Sequence, residues 1–163
     1  MDNICILATG GTIDKDHDPI SEELIFSDQS YVPAMLSEFR TMKVSHDVLM
    51  LKDSLDMNDS DREAIKEGVL ARPEALIVVT HGTSTMPETA AYLSDKIQGK
   101  TVVLTGAMRP FSLFRSDAGF NLGTAIAAVQ LLEHGVYITM NGQIFKANDV
   151  QKNIEQGRFE RKS

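Results

Sequence analysis

The chain has 163 residues, 42% hydrophobic and 24% charged, and a formal net charge of −7. That length suffices for one domain with a sizeable core, and the composition is ordinary for a soluble globular protein. The acidic balance argues against nucleic acid or an anionic membrane surface as main partner. No apolar segment is long enough to cross a membrane and no basic n-region of a signal peptide is visible, so a cytoplasmic protein is expected.

In chain order, the first apolar run is Ile4-Cys5-Ile6-Leu7-Ala8, a candidate central strand whose lone cysteine, Cys5, reads as a buried thiol. It ends in Thr9-Gly10-Gly11-Thr12-Ile13, where paired glycines let the backbone bend and a ligand come close. Residues 14–30 are polar and without helical period, a long connection of the kind that is either a lid or poorly ordered. A short helix is predicted over 31–40 with Ser30 as its cap. Residues 44–51 alternate as a half-polar edge strand that runs into the polar loop Lys52-Asp53-Ser54-Leu55-Asp56-Met57-Asn58. Asp59 or Ser60 then caps a helix carrying the apolar pair Ile65 and Val69, and Pro73 ends it.

The run Leu76-Ile77-Val78-Val79 is too short for a helix and suits a strand covered on both faces. It stops at Thr80-His81-Gly82-Thr83-Ser84-Thr85, and Thr85 with Glu88 has the spacing of a capping box. Hydroxyls and a histidine thus meet a helix N-terminus, where free N–H groups favour an oxyanion or carboxylate. Gly99 terminates this helix. A strand over 101–105 follows, ending at Gly106-Ala107-Met108-Arg109-Pro110. A helix over 117–133 is apolar almost all round, which suggests a subunit interface. Residues 136–140 form the last predicted strand, and the segment 141–163 receives no assignment.

Alternating strands and helices imply an α/β, flavodoxin-like doubly wound parallel sheet with helices on both faces. The strand order expected is 2-1-3-4-5, with ligands binding beyond the carboxyl ends at the switch point between the first and third strands. The loops at Thr12, Ser54 and Thr83 would then face one crevice. Nucleotide-binding glycine patterns are absent, and four scattered histidines show no metal-ligand spacing. Neither a metal nor a cofactor is expected.

Thr9-Gly10-Gly11-Thr12-Ile13 and His81-Gly82-Thr83, each after an apolar strand, resemble the two signature motifs of the bacterial-type L-asparaginase and glutaminase family. The segments 53–58 and 106–110 are similar to further family segments, and the likeness covers nearly the whole chain. The resemblance implies a short form made of a single asparaginase N-terminal-type domain over 1–163. It implies an amidohydrolase with Thr12 as nucleophile, Thr83 as second catalytic threonine and Lys100 as proton shuttle. Gly11, Ser54, Asp56, Gly82 and Ser84 would hold an asparagine-like substrate in a homodimer or larger homo-oligomer.

The chain departs from the family pattern in several places. Ser84 replaces an aspartate that pairs with the substrate ammonium, Leu55 stands where the family often has glutamine, and no tyrosine lies between Thr12 and Tyr31. His17 is the nearest loop group with suitable proton chemistry. Two readings stay open, an asparaginase-type hydrolase and a catalytically impaired ligand-binding or interaction protein. A flavodoxin-like cofactor binder stands third.

Overall fold

The computed structural model describes residues 3–163. Strand β1 (Ile4–Gly10) is buried along its whole length. A small hairpin, β2 (Lys15–His17) with β3 (Leu24–Phe26), precedes helix α1 (Val32–Glu38). The alternation then runs β4 (Ser45–Lys52), α2 (Asp59–Ala71), β5 (Leu76–Thr80), α3 (Met86–Ser94), β6 (Thr101–Thr105), α4 (Ala118–Val129) and β7 (Gly135–Met140). Three further strands follow: β8 (Gln143–Lys146), β9 (Gln151–Asn153) and β10 (Arg158–Glu160).

The main sheet has the order β4-β1-β5-β6-β7-β8, which is the expected 2-1-3-4-5 order with one strand added at an edge. All neighbours are parallel except β7 and β8. Successive side chains of a strand face opposite ways, so each fully apolar strand feeds two cores. On one face Cys5, Leu7, Ile77, Val79 and Leu104 pack with Ile65 and Val69 of α2 and Leu93 of α3. On the other, Ile4, Ile6, Val78 and Val103 pack with Met35 of α1 and Leu122 of α4. β4 lies at the edge beside β1 as expected, but its burial does not alternate: Val48 is exposed while the consecutive Leu49 and Met50 both pack on the core, next to a register shift opposite Ala8–Gly10.

Several local expectations are corrected. Asn58, not Asp59 or Ser60, caps α2: its extended backbone lets its side chain accept the Asp61 N–H while the Asp61 carboxylate accepts the Asn58 N–H. Thr85 and Glu88 form no capping box, because Ser54 takes both Thr85 groups: its Oγ accepts the Thr85 N–H at 3.2 Å and its carbonyl accepts the Thr85 hydroxyl at 2.8 Å. Tyr31 rather than Ser30 stands at the N-cap of α1, with its N–H bonded to the Asp14 carboxylate. Helix α4 stops at Val129, short of Glu133. The segment after Met140 is structured, since Asn141 and Gly142 both take positive φ in a two-residue turn between β7 and β8.

Candidate active site

The carboxyl ends of β1, β4 and β5 converge through glycine. Gly11 has φ of 80°, and a Cβ there would lie 2.3 Å from Gly82 N. A Cβ on Gly82 would in turn lie 2.6 Å from both Cβ and Oγ of Ser54. Any larger residue at either place would push the loops apart. The Gly11 N–H also bonds the Lys52 carbonyl at 3.0 Å, tying the first loop to the second. Thr12, Ser54 and Thr83 are thus brought to one end of the sheet by backbone contact, as the switch-point argument requires.

Thr83 is 6% exposed. Lys152 of β9 donates from Nζ to its Oγ1 at 2.8 Å, and burial pushes this lysine below its ordinary pKa range. Lys100 is placed elsewhere. It precedes β6 at the opposite end of the sheet, where its Nζ donates to the carbonyls of Arg72 and Glu74, both at 2.7 Å. Five strand residues at ~3.3 Å each put roughly 15 Å between that end and the crevice. The lysine beside Thr83 is therefore Lys152, which belongs to the stretch after Met140 where hydrophobic periodicity marks no element. The Asn141-Gly142 dipeptide, a strong hairpin signal, is the cue that this stretch returns to the sheet.

Ser54 is buried, and its Oγ accepts the Thr85 N–H at 3.2 Å. Beside it, Asp53 accepts the Leu55 N–H and binds Lys15 Nζ at 2.6 Å, and Lys15 holds the Asp53 carboxyl below its usual range. Lys15 belongs to the β2–β3 hairpin, so this ion pair fastens the hairpin to the Ser54 loop. Thr12 opens the single turn that leads into the hairpin and is half-buried. His17 is exposed at the end of β2, and Asp56 is exposed in the turn after Ser54. Tyr31 sends its hydroxyl to Asp16 at 2.5 Å.

His81 is fully buried and serves the loop rather than proton transfer. Its Nδ1–H donates to the Gly82 carbonyl at 2.7 Å, which leaves Nε2 to accept from the Thr89 hydroxyl at 2.8 Å. Burial lowers its pKa to about 4. Ser84 is exposed and lines a cleft of about 530 Å³ together with Lys152 and Leu55.

A family model described as "Asparaginase, N-terminal" matches residues 3–159. The chain belongs to the asparaginase family. A Haemophilus influenzae protein named "Probable L-asparaginase periplasmic" is 32% identical over 162 residues, covering 93% of this chain and 46% of that relative. The "Glutaminase-asparaginase" of Acinetobacter glutaminasificans is 30% identical over 170 residues, with 93% of this chain and 50% of the relative covered. The thermostable L-asparaginase from Thermococcus kodakarensis superposes with a TM-score of 0.84 at 26% identity, over 98% of this chain and 51% of that one. This asparaginase-family chain thus spans about half the length of these relatives.

Proposed function

We propose that the chain hydrolyses the carboxamide of asparagine, or of a related small amide, to the acid and ammonia through a threonine nucleophile. The observation that carries this reading is the Lys152–Thr83 contact, a buried hydroxyl facing an amine that burial drives toward its neutral form. Thr12 Oγ attacks the carbonyl carbon, the C–N bond breaks, and the nitrogen leaves as ammonia with the proton that Thr12 gives up. Water then attacks the ester as Thr83 takes its proton and passes its own to the Lys152 amine; the C–O bond to Thr12 breaks, and Lys152 returns the proton through Thr83 to the Thr12 oxygen, leaving the free acid. Ser54 Oγ keeps its own proton to donate to a substrate carboxylate, and His17 on the hairpin is the proton-transfer group assigned to Thr12. Gly11, Asp56, Gly82 and Ser84 complete the substrate's surroundings.

The test is ammonia release from L-asparagine, D-asparagine, L-glutamine and simple amides. Turnover of at least one is expected; none from a folded protein would leave the ligand-binding reading in its place. The proposal includes a homo-oligomer, supported by Phe120 and Leu131, which stand 63% and 87% exposed on and just beyond α4. Light scattering that reports a monomer at micromolar concentration would remove that part.

A further inference from the structure

The cleft beside Lys152 offers the α-ammonium of a free amino acid no buried carboxylate partner. An α-ammonium leaving water needs a carboxylate partner. The carboxylate lining the cleft, Glu88, stands exposed in the first turn of α3, where water screens it, and it shares the cleft with the Lys162 ammonium and the Lys152 amine. Ser84, next to Thr83, brings only a hydroxyl.

Apart from Gln151, its remaining walls are apolar. Leu55 and Ile154 are 73% and 84% exposed, with Pro87 and Val150 beside them. Exposed aliphatic side chains at the rim of a concave surface are where an apolar ligand gains most from leaving water. At about 530 Å³ the cleft lies within the usual span of small-molecule sites.

Resting on the amidohydrolase reading, we propose that this cleft receives an apolar acyl group carried on the α-nitrogen of the substrate. The preferred substrate is then an N-acylated asparagine-type amide rather than the free amino acid. Acylation turns the ammonium into a neutral N–H that the Ser84 hydroxyl can accept, while the ligand's net negative charge suits Lys162.

The experiment compares ammonia release from L-asparagine, N-acetyl-L-asparagine and N-hexanoyl-L-asparagine by the wild type and Ile154→Asp, an exposed change that circular dichroism checks for folding. For the wild type, the hexanoyl compound is expected to exceed L-asparagine in kcat/KM at least ~tenfold, the factor worth ~1.4 kcal/mol. Ile154→Asp is expected to lower the hexanoyl-to-acetyl ratio by a similar factor. Equal or better turnover of L-asparagine, or a ratio unmoved by Ile154→Asp, overturns the acyl assignment and leaves the amidohydrolase reading standing. If no amide releases ammonia, that reading has failed, and calorimetry with N-hexanoyl-L-aspartate decides the cleft by itself. Binding that Ile154→Asp abolishes supports it; no binding overturns it.

Discussion

Thr12 and Thr83 each stand one residue beyond a glycine at the carboxyl end of a central strand, and the two glycines are in backbone contact. Their hydroxyls are nevertheless provided for differently. Thr83 is buried and faces Lys152, which arrives on β9 from 69 residues away. Thr12 is half-buried at the root of a hairpin that Lys15 holds against Asp53. A parallel sheet presents residues at its carboxyl edge, but it cannot by itself supply their proton partners. The partner of Thr83 comes from a ribbon laid over that edge, and on the proposed reading the β2–β3 hairpin is the segment that would bring one to Thr12.

The comparison breaks most sharply at Thr12. Thr12→Ala is expected to lower ammonia release by on the order of 10⁴-fold or more, as losses of a nucleophile do, with the melting temperature nearly unchanged. Full activity in the variant would take Thr12 out of the reaction. Lys152→Met is expected to cost roughly 10²–10³-fold, the range of acid–base assistance. The neutral amine is the working form, so the rate should rise with pH through a pKa below the ordinary lysine range, and the variant should lose that limb. A pH profile that Lys152→Met leaves intact would contradict the role.

The Thr83 loop also carries a liability on acidification, whereas the buried Asp14 in the Thr12 turn, its carboxyl pushed up by burial, favours lower pH. His81 titrates at about 4 when folded, against 6.5 for the free side chain, because burial disfavours its charged form. The unfolded chain therefore binds the proton first as pH falls. Stability is full above about 6.5 and is lost progressively down to about 4, by about 3 kcal/mol in total. Urea unfolding at pH 7 and pH 4.5 measures this. Carboxylates held low by partners, such as Glu74 at about 2, lose their contribution only at lower pH. A His81→Asn variant should show a flatter dependence across the upper window, and an equally steep one would assign the loss elsewhere.

Ser84 sharpens the comparison at smaller scale. Placing a carboxylate beside Lys152 gives an α-ammonium a partner, so Ser84→Asp is expected to raise kcat/KM for L-asparagine roughly tenfold, about 1.4 kcal/mol. Steady-state ammonia release across pH 6 to 10 is the measurement. An equal or lower value in a folded variant would show that the site does not take a free ammonium at that position.

The central strands were legible because burial on both faces leaves a continuous β-branched run, and the loops because glycine marks close backbone approach. The switch-point order followed from the strand–helix alternation together with strand polarity: the half-polar run belongs at an edge. Lys152 was not legible, since nothing local distinguishes a lysine that crosses 69 residues to reach Thr83 from one that stays in solvent. The helix caps escape local reading for a related reason. Thr85 has the right spacing for a box, but tertiary contact with Ser54 takes both its N–H and its hydroxyl.

Lys100 is the counterpart of Lys152 at the far end of the sheet and should show the smallest effect. Its ammonium donates to two backbone carbonyls, those of Arg72 and Glu74, and so ties the end of α2 to the start of β6. Lys100→Met removes both donors but leaves the acceptors near solvent, where water replaces part of the loss. The cost should be about 1–2 kcal/mol of stability, or a fall of roughly 2–8 °C in Tm for a domain of this size. The crevice is a whole strand length away, so kcat/KM should stay within about twofold. Thermal unfolding and ammonia release on the same preparation read both quantities. A lowered Tm with unchanged hydrolysis would make Lys100 a brace for the sheet's amino end. Loss of hydrolysis with Tm intact would mean that the two lysines have been assigned the wrong way round.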